Sequence, residues 1–453
     1  MVTSDGAGTA ASVVTGVLDV AQGTLQINRA TGANGDFVAA GVVGGGTITN
    51  GSATERWLFS NAPSGTFDFT GTLANGGTGA LGFNKSGAST QTLSGYNSYS
   101  GPTNITGGTL SITGTNSLGG AVNVNGTAAS PALLNLQNSN ALGTSVVTAV
   151  NRNSGIQLQG GKSGITLPST VTFTISNDGA SGATVPYAIA NIDGDNTING
   201  TITLTSGGGG SVIQSDAGSL TLAGDISIAS GQSSRGIILQ GASTDANTIS
   251  GVLSDLSTSS VASITKNGTG IWTLTNTNTY TGPTTVAAGV LAVDGSIASS
   301  SGVTVASGAT LRGIGTVATT VVDVGGHVAP GNSIGTLTVS GSMTINGTLD
   351  VEYDDSLPQQ IDLLNVSGTL DITSATVDFA DISDGTIGLS GSAYVFATYG
   401  TLTGSQFASV VDLPTGYTID YAYGGNNIAL VPEPTAALLA GLGLLGLLRR
   451  RRA

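Results

Sequence analysis

Lys85-Ser-Gly87, Leu93, Tyr96-Asn-Ser-Tyr-Ser-Gly-Pro102-Thr, Ile105, Gly108, Leu110 and Ile112 return, ungapped, as Lys266-Asn-Gly268, Leu274, Thr277-Asn-Thr-Tyr-Thr-Gly-Pro283-Thr, Val286, Gly289, Leu291 and Val293. Near each end of a copy apolar residues alternate with polar ones, as strands with one buried face require. Between the strands, Tyr99-Ser-Gly101-Pro102 and Tyr280-Thr-Gly282-Pro283 read as turns. Glycine there is expected to supply positive φ, and proline fixes its own φ. One copy is therefore strand, turn, strand, or about one coil of a solenoid.

Weaker echoes run outward from these copies. Val20 to Ile27 repeats the second strand of the motif. Leu220-Thr-Leu222, Leu337-Thr-Val339, Met343-Thr-Ile345, Leu349-Asp-Val351 and Leu370-Asp-Ile372 are further short strands between Gly and Asn turns. The fold class predicted is all-β: a parallel β-helix in which each coil buries its apolar residues by stacking on the next. About 21 residues per coil would give roughly 19 coils at ~4.8 Å spacing. A β-sandwich array is the alternative.

Composition agrees. Of 453 residues, 72 are Gly, none is Cys and 8% are charged. Disorder is opposed by the regular return of Val, Ile and Leu. Without Cys there are no disulfides, so stability must come from ladders and a continuous apolar column. The net charge is −14; the C-terminal tail holds four of the twelve cations, and the body is left with 8 cations against 25 anions. No basic patch can neutralise a phosphate backbone, which excludes nucleic acid as a partner.

The two copies resemble the autotransporter-associated β-strand repeat of bacterial passenger domains. Val328-Ala-Pro-Gly-Asn-Ser333 with Gly335-Thr-Leu-Thr-Val339 resembles a phrase of the same β-helical proteins. Autotransporters end in a membrane β-barrel, and about 60 residues between Ile372 and Pro432 cannot build one.

The tail has another character. Val431, Pro432, Glu433 and Pro434 precede an uncharged Ala/Leu/Gly run, Thr435 to Leu448, stopped by Arg449, Arg450, Arg451 and Arg452. An apolar helix with a basic stop orients itself in a membrane, basic end inward. Fourteen helical residues span roughly 21 Å, short of the ~30 Å hydrocarbon core, which suits a temporary anchor. The order of parts resembles the PEP-CTERM sorting signal of Gram-negative bacteria. The resemblance implies export, a transient inner-membrane anchor through 435–448, processing by an exosortase-type enzyme, and delivery to the cell surface or the exopolysaccharide matrix. Met1-Val-Thr-Ser-Asp5 shows no basic or apolar leader, so an upstream signal is expected.

Three domains are expected: a β-helical region 1–385, a C-terminal β cap 386–431, and the sorting signal 432–453 with its short hydrophobic helix. Tyr394, Phe396, Tyr399, Phe407, Tyr417, Tyr421 and Tyr423 mark the cap, which would close the open end of the solenoid. Their other reading is a sugar-stacking platform.

Catalytic residues and metal ligands are not assigned, and no cofactor is implied. His327 is the only His and reads as structural or surface. Asp193-Gly-Asp195-Asn196 could offer oxygens to Ca²⁺ but lacks the spacing of known calcium loops; Asp354-Asp355 is the other acidic pair. Trp272, aligned with Gln91, is either an exposed sugar contact or a packed strand residue, and Trp57 has no repeat context. The function expected is a structural or adhesive surface protein, with exopolysaccharide or other surface proteins as partners. The alternatives are a β-helical polysaccharide lyase or hydrolase and a protein-binding adhesin.

Overall fold

The computed structural model describes residues 2–3, 12–13, 16–27, 36–149, 152–177, 179, 183–205, 210–354, 361–383, 389 and 393–433. They are strands and turns, with no helix among them. They fall into two compact units, one within Met1–Leu291 with Ser299–Ser301, the other Ala292–Ala298 with Gly302 onward.

The first unit is a parallel solenoid with three faces. One face stacks Phe37–Ala39, Arg56–Ser60, Leu81–Lys85, Thr103–Ile105 and five more strands to Ile226–Ile228. A second stacks Thr66–Phe69, Thr90–Leu93, Gly108–Ile112 and onward to Thr284–Val286. The third is made of short strands such as Asn196–Ile198, Leu220–Leu222, Asn247–Ile249 and Ile271–Leu274. Pairing within each face is parallel.

Register turns the alternation into a column. Phe37, Leu58, Phe83, Thr103, Val122, Val147, Phe173, Ile202 and Ile226 face one another in succession, and all are buried. Each Val, Leu, Ile or Phe so placed contributes about 1.5–3 kcal/mol. Thr103 is tolerated because its hydroxyl bonds the Tyr99 hydroxyl at 2.7 Å.

Coil length is less uniform than about 21 residues. Thr90 faces Thr109, Gly108 faces Ala132, and Ile156 faces Ile189, steps that run from 19 to 33 residues. The ladder fixes only the strands; turns can grow at little cost because loop closure depends weakly on length.

The second unit continues the same construction, with Thr310 facing His327 and Thr336 facing Leu363. Ser409–Val411 pairs in parallel with Thr376–Asp381, and Tyr394–Thr403 with Leu363–Asp371. The latter strand then changes partner type: Tyr394–Thr398 pairs antiparallel with Asn427–Pro432, which also pairs antiparallel with Tyr417–Tyr423.

Candidate functional site

Each repeat carries a buried lysine. Lys85 Nζ donates to the carbonyls of Ser86 at 2.7 Å, Gly87 at 2.9 Å and Gly107 at 3.1 Å. Lys266 Nζ donates to Asn267 at 2.8 Å, Gly268 at 2.9 Å and Ala288 at 3.0 Å. Three donors meet three carbonyls of the two turns, stapling one coil to the next. Burial pushes both amines down to about 8. The signal for this staple was the alignment of the two lysines; composition treats them only as scarce cations.

At the corners Tyr99 and Tyr280 are fully buried. Tyr280 bonds Thr284 at 2.6 Å, the counterpart of the Tyr99–Thr103 contact. Burial raises both phenols far above their ordinary range. Gly101 and Gly282 do follow them, but not for positive φ, which neither adopts. A Cβ on Gly101 would lie 2.4 Å from the Leu81 carbonyl oxygen, and on Gly282 2.1 Å from that of Ala262. Close approach of the coil below, not turn handedness, demands glycine before Pro102 and Pro283.

Trp272 is not a sugar contact. It is buried, and its Nε1 donates to the Gln240 carbonyl at 3.2 Å. Its counterpart Gln91 is equally interior. Gln91 Oε1 accepts from Val42 N at 2.9 Å and Ser60 Oγ at 3.1 Å, and Nε2 donates to Val42 O at 2.8 Å and Thr92 O at 3.1 Å. A polar side chain there signals a satisfied amide, not exposure. Trp57 is half-buried beside Phe59.

Asp195 and Asn196 of the acidic candidate are already engaged. Asp195 Oδ1 accepts from Ser219 N at 2.9 Å and Ser219 Oγ at 2.8 Å, and the Ser219 backbone N–H holds its carboxyl below the usual range. Asn196 is buried against Asn191, and its Oδ1 caps Ile165 N at 2.8 Å. No cluster of three metal-capable side chains occurs among the described residues. His327 Nδ1 lies 3.0 Å from Asp350 Oδ2. Burial lifts the Asp350 carboxyl above its ordinary value, with Asp378 and Glu352 adding repulsion and His327 opposing them. Asp355 lies outside the described residues.

Two outer surfaces went unread in the sequence. On the second face, Ser111, Asn135, Gln157, Ala190, Gln214 and Gln240 share one row. Their amides bond along the row: Asn135 Nδ2 to Gln157 Oε1 at 3.2 Å and Gln240 Nε2 to Gln214 Oε1 at 2.7 Å. Residues 183–188, in the coil between Ile156 and Ile189, fold onto this face, where Val185 and Tyr187 pack against Ala190, Val212, Leu133, Ile192 and Ile238. Asn177 Nδ2 fastens that segment through the carbonyls of Val185 and Tyr187, both at 2.8 Å. On the first face, Asn104, Thr106, Asn123, Asn125 and Thr148 line a shallow uncharged groove. Alternation could have suggested both rows, but only the register aligns residues 19 to 33 apart.

The cap aromatics form a core. Tyr394, Phe396, Phe407 and Tyr417 are buried. Phe396 meets Phe379 edge-on at 5.3 Å and stacks with Phe407 at 6.2 Å, while Tyr394 meets Tyr417 at 5.9 Å. Tyr399 donates its hydroxyl to the Tyr421 carbonyl at 2.7 Å, and Tyr423 is exposed. Val431 and Pro432 belong to the last strand, facing Thr418 and Tyr417, and Glu433 N donates to Gly416 O at 2.8 Å. Pro434, the run 435–448 and Arg449 to Arg452 lie outside the described residues. Among those described, no helix is long and apolar enough to cross a membrane.

Two family models match parts of this architecture. A family model, the passenger-associated transport repeat, matches residues 83–112 and again 264–293. The model of the PEP-CTERM protein-sorting motif matches 430–452. The chain thus carries both the passenger repeat and the sorting motif. It is similar to the adhesin BmaC autotransporter of Brucella suis biovar 1 (strain 1330), 30% identical over 296 residues, or 58% of this chain and 9% of that protein. It is also similar to an extracellular serine protease of Serratia marcescens, 50% identical over 76 residues, 17% of this chain and 7% of that one. The chain therefore spans under a tenth of the length of these relatives.

Proposed function

We propose that this is an exported, non-enzymatic protein of the cell surface or extracellular matrix, sorted through its tail by an exosortase-type enzyme. The observation that carries the reading is the pairing, in one chain, of passenger repeats folded as a solenoid with a sorting motif. The solenoid works by display: rows of Asn, Gln, Thr and Ser at strand spacing offer many weak hydrogen bonds to a long, hydroxyl-rich partner such as exopolysaccharide. The body's excess of anions favours neutral chains over anionic ones. Similarity to a named adhesin over 58% of this chain supports this reading, while the similarity to a named extracellular protease covers 17% of it.

Deleting residues 435–453 in the native host tests the sorting step. Cell fractionation should then find the body absent from the surface and retained in, or released from, another compartment. An unchanged surface fraction would sink the role of the tail.

A further inference from the structure

The strand that completes the cap is also the strand that opens the sorting motif. Asn427–Pro432 lies between two antiparallel partners: Tyr394 faces Leu430 on one side, and Ile419 faces Leu430 on the other. Ile428, Ala429 and Leu430 are fully buried. Toward its end the strand keeps, among the described residues, the hairpin partner alone, with Thr418 facing Val431 and Tyr417 facing Pro432. Pro432 has no N–H to leave unpaired at this outer position, as sheet prolines require. Pairing resumes one residue later, where Glu433 N reaches Gly416 O at 2.8 Å.

A backbone held in this way has its hydrogen-bonding groups committed to neighbouring strands. A processing enzyme needs its substrate extended and unpaired, so a folded segment is cut only after local opening. Removal of Asn427–Glu433 would also strip the middle strand from the cap and bare Tyr394, Tyr417 and the edge of Tyr394–Thr403. We infer that the folded cap sets the upstream limit of processing: the cut falls on the C-terminal side of Glu433, and the mature protein keeps the whole strand. In that step the amide bond beyond Glu433 breaks. Its carbonyl carbon gains the oxygen of water or the nitrogen of an acceptor amine, and the tail leaves as an amine carrying the proton that the attacking group gives up. The inference rests on the sorting reading and adds where the cut lies and what protects the chain before it.

The test is intact and C-terminal peptide mass spectrometry of surface protein from the native host. Wild type is compared with the pair Asp420→Cys/Ala429→Cys, which locks the hairpin just upstream of the matched sorting motif in a chain that has no other Cys. Partners in antiparallel strands are at disulfide-compatible distance, and Ala429→Cys alone controls for the substitution. The expected result is loss of the tail mass in all three, with a C-terminus at Glu433 or beyond and no dependence on the lock. A wild-type C-terminus upstream of Glu433 would overturn the inference alone. So would a locked protein that stays uncut while the single variant is processed, because cutting would then require the strand to peel. An uncut wild-type tail would overturn the sorting reading and this inference with it.

Discussion

The two repeat copies share turns, corner tyrosines and lysine staples, yet they occupy different faces of the prism. Leu81–Lys85 and Thr90–Leu93 lie on the first and second faces, whereas Ala262–Lys266 and Ile271–Leu274 lie on the second and third. The repeat thus encodes a self-contained corner, with two strands, a buried tyrosine and a staple, and no particular side of the solenoid. Each face is the same parallel ladder with the same inward alternation, so a corner fits any of them. The copies differ most at one interior position, a hydrogen-bonded Gln91 against a packed Trp272, and that difference can be tested.

The largest effect is expected from Trp272→Ala, which empties a fully buried site and should cost about 3–5 kcal/mol. Gln91→Leu keeps the volume but orphans Val42 N–H and C=O, at about 1–3 kcal/mol for each buried group. Because a solenoid opens locally, hydrogen exchange read at strands beside each substitution is the proper measure. Equal exchange in mutant and wild type at Val42 would show that Gln91 is not the partner described here. Tyr99→Phe and Tyr280→Phe should each cost about 1 kcal/mol. Matching losses in denaturant melts would show that the corners are equivalent despite their different faces; a loss at one only would break the comparison.

The staples predict a pH dependence. Both lysines sit at about 8 in the fold, below the ordinary 10.5. Between those values the unfolded chain binds protons that the folded one does not, so stability rises with pH across that window and is flat below it. Melting temperature followed from pH 7 to 10.5 should climb, and Lys85→Met with Lys266→Met should flatten the climb. A wild-type curve that falls through the window would mean that the three carbonyls hold the ammonium more strongly than burial opposes it.

Much of this was legible in the sequence because solenoid order is local. The recurrence of Tyr-Ser/Thr-Gly-Pro-Thr gave the corners, and the alternation around Leu93 and Leu274 gave strands with one buried face. What escaped depended on neighbours one or two coils away. The glycines before Pro102 and Pro283 answer to a carbonyl about 20 residues earlier, and Gln91 answers to Val42, 49 residues away. The amide row on the second face exists only once coils of unequal length are brought into register. Buried asparagines such as Asn97, whose Oδ1 caps Leu73 N at 2.9 Å, look like ordinary turn residues until the coil beneath is in place. The cap was visible as an aromatic cluster, but composition could not show that its middle strand runs into Pro432 and Glu433.

The most direct measurement is antibody labelling of intact cells of the native host, using an antibody raised against the solenoid body. The account predicts strong labelling without permeabilisation, at the surface or in the surrounding matrix. Labelling that appears only after the envelope is opened would contradict it.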